Sequence, residues 1–256
     1  MKKWAMILLV VVVSLITGAG YYYYNYIYSA PEAVEGRELS ETNSAYEYLI
    51  VETRQRIATT SYDYKVLINP VGGGRDIGLS AGDLKESDVT MGVARYIESL
   101  NEDDTLGIFM TRDTDTDPTY EQRMTFIEAV DPDVIIELRL NSSEDVSVLG
   151  TSVLYDDEYY DYHLVNSTLA DILEKSVVTK IDGRAEGIFP LEAGTSDYVK
   201  LSHRPAAVIR LGYVTNDVES AALRSETYRS NLALGILDAI GQIRNGEGNT
   251  AESAVQ

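Results

Sequence analysis

From residue 65 onward, short apolar runs alternate with segments of helical spacing, and this alternation restricts the chain to few folds. The first apolar run, residues 66–68, leads through a glycine-rich loop to a predicted helix near 87–100 and a strand near 106–111. Strands that alternate with helices are typical of parallel α/β sheets. The sequence therefore predicts an α/β fold, a single three-layer domain whose central, mostly parallel or mixed sheet is flanked by helices.

The later elements continue this order. Thr119 followed three residues later by Gln122 is a capping-box signature, and it predicts a helix that runs to about Val130. Further strands are predicted near residues 134–140, 153–154 and 206–214, and further helices near 164–178 and 225–243. Between the helix near 164–178 and the strand near 206–214, the pattern predicts no regular element through Ser202. Residues 244–256 are polar and are predicted to form a disordered tail.

A long run without charge precedes the α/β region. Residues 4–31 contain no charged side chain, and only Lys2 and Lys3 are charged before it. Roughly 20 apolar residues cross the hydrocarbon core of a bilayer, so residues 4–24 are predicted to span a membrane. The lysines then stay inside by the positive-inside rule. We therefore expect a transmembrane anchor over 1–28 and a single-pass cell-membrane protein with most of its chain on the extracytoplasmic side.

A cleaved secretory signal is the alternative interpretation of this run. Residues 17–19 are small, as a signal peptidase requires. The tyrosines between 21 and 28 favour the anchor, because aromatic side chains collect at membrane interfaces. In both interpretations, the chain is exported across the membrane. The residues that follow, 29–63, are rich in glutamate and are predicted to form an acidic spacer that contains a short helix.

Composition excludes several classes of function. The chain has 21 Lys and Arg against 41 Asp and Glu, a formal net charge of −20, which disfavours binding to nucleic acid and to anionic lipid headgroups. It has no cysteine, so disulfides, thiolate metal sites and cysteine nucleophiles are excluded. Its two histidines are His163 and His203, so a site with three histidines is impossible.

Charged residues occur inside predicted strands. Glu137 and Arg139 share one face of the strand near 134–140 by the period-two rule, and Arg210 lies inside the strand near 206–214. A charge near the end of a buried strand is costly unless it is paired, and the strand ends of α/β sheets are where sites form. These residues are therefore candidate site residues. The competing interpretation is that one edge of the sheet is solvated.

Five segments carry a set of motifs in a fixed order. They are residues 66–78 (VLINPVGGGRDIG), 84–89 (LKESDV), 110–115 (MTRDTD), 120–123 (YEQR) and 205–216 (PAAVIRLGYVTN). The corresponding patterns I-D-P-G-H-G-G-x-D-x-G, L-K-E-x-D-V, L-T-R-x-x-D, L-x-x-R and P-A-V-L-V-E-L-G-F-x-[ST]-N belong to one family. The chain thus resembles the zinc-dependent N-acetylmuramoyl-L-alanine amidases of the amidase-3 type, which are cell-wall hydrolases. The resemblance predicts an amidase-3-like domain over about residues 64–243.

The resemblance also implies that the family's catalytic residues are largely replaced. Its three zinc ligands fall on Gly72, Glu86 and Arg139, and its catalytic glutamate falls on Arg210. Glycine has no side chain, and arginine stays protonated, so it neither donates a lone pair to a metal nor accepts a proton. A catalytic zinc site usually needs three protein ligands. Only Glu86 is retained, so we expect no catalytic residue, no bound metal and no other cofactor.

In place of the metal, the sequence predicts a salt-bridge cluster. Its members are Gly72, Glu86, Glu137, Arg139 and Arg210, with two carboxylates paired to two guanidinium groups. On this interpretation, Arg210→Ala lowers the melting temperature. In an alternative interpretation, the arginines face an open groove and bind a carboxylate of a stem peptide, since bidentate recognition of carboxylates suits arginine.

These inferences predict a membrane-anchored, catalytically inactive amidase-like domain of the cell envelope. It would act in peptidoglycan binding or in regulation of a cell-wall hydrolase or membrane complex, with peptidoglycan or an envelope protein as its partner. One alternative is an active zinc amidase that hydrolyses the N-acetylmuramoyl-L-Ala bond, with zinc near Glu86 and with His163 and His203 as further ligands. Another is a purely structural envelope protein.

Overall fold

The computed structural model describes residues 32–158, 164–192 and 194–246. The predicted anchor over 1–28 therefore lies outside the described residues, as does most of the predicted tail. Within the described part of the chain, we find no helix with the length and apolar character needed to cross a membrane. A compact unit begins at Leu49.

The first described helix, α1 (Glu32–Thr59), is longer than the short helix predicted within the acidic spacer. Its last turns pack within the compact unit. Thr53 is buried, and the Arg56 guanidinium lies 4.2 Å from the centroid of the Phe109 ring and donates to the carbonyl of Ile108. A guanidinium over an aromatic face is attractive. These contacts fix the end of α1 beside the first strands of the sheet.

Six strands form one central sheet, and two short strands form a separate pair. They are β1 (Tyr64–Pro70), β2 (Ser80–Ala81), β3 (Leu84–Lys85), β4 (Leu106–Met110), β5 (Val134–Asn141), β6 (Thr151–Tyr155), β7 (Ala185–Pro190) and β8 (Ala206–Tyr213). The order of the central sheet is β4-β1-β5-β8-β6-β7, and β2 pairs with β3. Within the central sheet, only the β6–β8 pair is antiparallel. The mostly parallel, mixed sheet predicted from the sequence is confirmed.

Helices cover both faces of this sheet. They are α2 (Glu86–Leu100), α3 (Tyr120–Val130), α4 (Asn166–Ile181), α5 (Asp197–Leu201), α6 (Asp217–Leu223) and α7 (Glu226–Arg244). Helix α7 packs on both α2 and α4, and the three helices cover the face formed by residues such as Ile136, Leu138 and Ile209, which are buried in the main apolar core. Helices α3 and α5 pack on the opposite face. The predicted three-layer architecture is thus confirmed.

Local signals explain which elements the sequence predicted. The Thr119 hydroxyl accepts from the Gln122 amide at 3.3 Å, and the Gln122 side chain accepts from the Thr119 amide at 2.8 Å, so the predicted capping box starts α3. The short strands β2 and β3, strand β7, and helices α5 and α6 were not predicted. β7 lies at the edge of the sheet, is mostly half-buried or exposed, and contains Gly187 and Pro190, so it lacks the apolar pattern of a central strand.

Candidate functional site

The predicted site residues lie around the carboxyl ends of three parallel strands. β1 leads into the loop that contains Gly72, β5 carries Glu137 and Arg139, and β8 carries Arg210. In the register of the sheet, Arg139 is the partner of Arg210, and Glu137 is the partner of Asn69 on β1. β4 and β5 flank β1 on opposite sides. Ligands of open α/β sheets bind at such a switch point, outside the carboxyl ends of the strands.

The loop after β1 has a conformation that depends on glycine. Gly72 has φ of +71°, and its neighbour Gly73 exchanges two backbone hydrogen bonds with Asp76, of 2.7 and 2.9 Å. A Cβ atom at Gly72 would lie 2.7 Å from the Asp76 carbonyl oxygen and 3.0 Å from the Ser87 Cβ. L-residues rarely adopt this backbone conformation. A histidine at position 72 would therefore require a rearranged loop.

Arg112 fixes this loop against the start of α2. Its buried guanidinium donates four hydrogen bonds of 2.8 to 3.2 Å to backbone carbonyls. The four acceptors are the carbonyls of Pro70, Val71, Ser87 and Thr114. Burial, together with the charge of Arg123, lowers the pKa of Arg112 to about 10, which leaves it charged at neutral pH. Arg112 thus holds the Gly72 loop through fixed, charge-assisted hydrogen bonds.

Glu86, the first residue of α2, is buried and binds backbone amides. One carboxylate oxygen accepts from the Leu140 amide at 2.7 Å, and the other accepts from the Leu79 amide at 2.8 Å. No hydrogen bond joins Glu86 to an arginine among the described residues. The predicted hydrogen bond of Glu86 with a guanidinium group does not form among the described residues. The carboxylate instead joins the loop before α2 to the end of β5.

Glu137 and Arg139 form the ion pair of the site. Glu137 has no exposed surface, and its Oε1 accepts from Arg139 Nε at 2.5 Å. Its Oε2 accepts from Asn69 Nδ2 at 2.8 Å and from Ser196 Oγ at 2.9 Å. Burial lowers the pKa of Arg139, but the charge and hydrogen bond of Glu137, with the charge of Glu86, outweigh it and raise the pKa. Arg139 is therefore a permanent cation.

A buried polar network continues from this pair under α3. Asn69 Oδ1 accepts from Thr111 Oγ1 and from Arg123 Nη1, both at 2.6 Å. All three of these residues are buried. Neither Asn69 nor Arg123 was predicted to belong to the site. The signals were present, since Asn69 is a polar residue at the end of a buried strand and Arg123 belongs to the L-x-x-R match.

Arg210 is half-buried and has no hydrogen bond or ion pair among the described residues. Its register partners are Arg139 on β5 and Ser152 on β6, and the register partner of Glu137 on β8 is Val208. The predicted cluster of two carboxylates and two guanidinium groups therefore forms only in part. Both carboxylates of the predicted cluster already accept hydrogen bonds from other groups, and neither of them bonds to Arg210.

The donor set at this edge of the sheet does not fit a zinc ion. Among the described residues, no group of three or more histidine, aspartate or glutamate side chains could hold a metal. His203 is exposed and precedes the amino end of β8, whereas the cluster lies at the carboxyl end. His163 lies outside the described residues. Zinc sites need several neutral or anionic donors close together, and this edge presents two arginines.

Comparison with known families gives one extended match. Residues 66–242 match the amidase-3 family, described as N-acetylmuramoyl-L-alanine amidase. The N-acetylmuramoyl-L-alanine amidase CwlM of Mycobacterium tuberculosis is 26% identical over 187 residues, which cover 70% of this chain and 45% of that protein. The germination-specific N-acetylmuramoyl-L-alanine amidase of Bacillus subtilis is 25% identical over 191 residues, which cover 68% and 77%. The chain thus spans less than half the length of the mycobacterial relative.

Solved structures share the fold. The N-acetylmuramoyl-L-alanine amidase from Clostridium difficile superposes with a TM-score of 0.67 at 23% identity, covering 73% of this chain and all of that one. The CwlD amidase from Clostridioides difficile, solved in complex with the GerS lipoprotein, has a TM-score of 0.61 at 17% identity, covering 72% and 99%. At these identities, the likeness concerns the fold alone.

Proposed function

Because the chain belongs to the amidase-3 family of cell-wall amidases, we propose that it is a cell-envelope protein whose amidase domain binds peptidoglycan without hydrolysing it. The observation that carries this proposal is the set of side chains at the carboxyl edge of the sheet. Gly72 offers no ligand, Arg139 is paired with Glu137, and Arg210 occupies the position that the motif match assigns to the catalytic glutamate.

This arrangement suits binding rather than hydrolysis. Cleavage of an amide requires activation of a water molecule and stabilisation of the developing oxyanion. A guanidinium group can stabilise negative charge, but it cannot accept a proton from water. Glu86 and Glu137 are buried, and their oxygens already accept hydrogen bonds from fixed donors. The edge is therefore equipped to bind an anionic group, and neither Glu86 nor Glu137 is free to act as a general base.

A regulatory partner is the other part of the proposal. The CwlD amidase, which shares this fold, was solved in complex with the GerS lipoprotein, and by analogy we propose that this domain associates with a protein partner. We place this chain at the cell membrane through residues 4–24, with the domain on the extracytoplasmic side, where both peptidoglycan and such partners are available.

The test uses the full-length chain in detergent, saturated with Zn²⁺ and desalted. Elemental analysis measures bound zinc, chromatography measures peptides released from purified peptidoglycan, and co-sedimentation measures binding to it. We expect far less than one equivalent of zinc, no released peptide, and co-sedimentation. An active amidase of the same family serves as the positive control for release. About one equivalent of zinc with peptide release would show instead that the chain is an active amidase.

A further inference from the structure

The two arginines at the carboxyl edge of the sheet have unused hydrogen-bond donors that point to a specific ligand. We propose that Arg210, with Arg139 beside it, binds a free carboxylate of the peptide part of peptidoglycan. This inference rests on the proposed peptidoglycan binding and names the chemical group that is recognised. The proposed subsite is formed by Arg139 and Arg210, which occupy the positions that the motif match assigns to a zinc ligand and to the catalytic glutamate.

The hydrogen bonds of the cluster leave Arg210 unsatisfied. Among the described residues, Arg139 uses only its Nε, which donates to Glu137, and Arg210 donates to no acceptor. Glu137 accepts from three groups, and Glu86 accepts from two backbone amides. Arg210 is half-buried as a residue, and its five N–H donors are available to water or to a ligand. A carboxylate matches the fork of arginine with two parallel hydrogen bonds.

Arg139 and Arg210 lie on one face of the sheet. Arg139 and Arg210 are register partners on adjacent parallel strands, whose spacing is about 4.8 Å, and both side chains project from the same face. A carboxylate bound by Arg210 would then lie on the face that also carries Arg139. The net charge of −20 disfavours polyanions such as nucleic acid, so a single carboxylate fits the site better.

An aromatic pair lies on α3 and α5, which cover the Glu137–Arg139 ion pair. The rings of Tyr120 and Tyr198 stack with centroids 5.3 Å apart. The Arg123 guanidinium lies 5.6 Å from the centroid of the Tyr198 ring, and Ser196, at the start of the same helix, donates to Glu137. Stacked, half-buried tyrosines provide apolar surface with polar tips. A muropeptide therefore finds a charged anchor and an adjacent apolar surface at this edge.

The experiment measures binding of N-acetylmuramoyl-L-alanyl-D-glutamate, and of the same compound with its carboxyl groups amidated, to the full-length chain by calorimetry. We expect Arg210→Ala to weaken binding of the free acid by about tenfold, the loss expected for a charge-assisted bidentate contact. Amidation should weaken binding by a similar factor, and the two losses should not add. Arg210→Lys, which keeps the charge but loses the fork, should give an intermediate loss.

Two controls separate the possible failures. Arg54→Ala removes an exposed arginine of α1 and should leave binding unchanged. The melting temperature of each variant shows that it is folded. Equal binding of the free acid by wild type and Arg210→Ala would overturn the carboxylate site. The proposed binding of peptidoglycan would not be affected by that result. If the chain neither binds this probe nor co-sediments with peptidoglycan, the proposed function itself is wrong. Binding of a polyglutamate peptide alone would overturn peptidoglycan as the source of the carboxylate.

Discussion

At the scale of single residues, the buried carboxylate of Glu137 depends on the groups that donate to it. Glu137→Gln keeps one acceptor oxygen and replaces the other with a donor, which leaves Arg139 without its anion. Breaking a buried ion pair costs about 3 to 5 kcal/mol, and we expect about 3 kcal/mol because the Arg139 side chain is 31% exposed. Urea unfolding measures the change.

The matched control for this substitution is Glu158→Gln. The Glu158 carboxylate lies 3.8 Å from Lys200 Nζ, and the Glu158 side chain is 80% exposed. Exposed ion pairs contribute little, so we expect a change within about 0.5 kcal/mol. Equal losses of stability in the two variants would contradict a structural role for the Glu137 pair.

Gly72 and Gly74 allow a second comparison of single residues. Both have positive φ, of +71° and +56°, but a Cβ at Gly74 has 3.4 Å to its nearest atom, against 2.7 Å at Gly72. We expect Gly74→Ala to cost about 1 kcal/mol, the cost of a left-handed backbone. Gly72→Ala adds a steric clash and should cost about 3 kcal/mol in total. Thermal unfolding of the two variants measures the difference, and equal melting temperatures would show that the loop yields easily.

At the scale of elements, Arg112 joins the end of β1, the start of α2 and the loop after β4. A lysine has one ammonium group and cannot reach the four carbonyls that the guanidinium fork binds. Unsatisfied buried carbonyls cost about 1 to 3 kcal/mol each, with partial relaxation, so we expect Arg112→Lys to destabilise the protein by about 3 kcal/mol. Denaturant unfolding provides the measurement.

Arg95→Lys is the control for Arg112→Lys. Arg95 is exposed and donates one hydrogen bond of 2.8 Å to the Asp113 carbonyl. Surface substitutions of this kind change stability by about 0.5 kcal/mol or less. A loss as small as this for Arg112→Lys would mean that Arg112 does not fix the loop.

The sequence predicted the elements whose patterns are local. Central strands such as β5 are continuous apolar runs, and α3 has its own capping signal, so both were predictable. β7 was not predictable, because an edge strand is stabilised by its neighbour rather than by its own pattern.

The site residues likewise divide into those with a local sequence signal and those that depend on tertiary packing. The alternation of side chains along the strand predicted that Glu137 and Arg139 share one face. Ser196 could not be predicted, because its hydroxyl donates to Glu137 only once α5 packs on the sheet.

At the scale of the whole molecule, the two faces of the sheet have different chemistry. One face is apolar and packs on α2, α4 and α7, whereas the other carries the buried network from Arg123 to Glu137. Because the network has its own hydrogen-bond partners, the fold does not depend on a metal for charge balance at this edge.

A chelator should therefore leave the melting temperature of the protein unchanged. This independence is compatible with a domain retained for binding.

The last prediction concerns the proposed membrane anchor. Full-length chain should stay in the membrane pellet after carbonate extraction, and Leu8→Arg combined with Val11→Arg should release it. An arginine at the centre of a spanning helix costs about 2.5 to 3.5 kcal/mol, so two of them oppose insertion strongly. Val51→Arg, at an exposed position of α1, should leave fractionation unchanged. A mature chain that begins near residue 20 and is released by carbonate would show that the segment is a cleaved secretory signal instead.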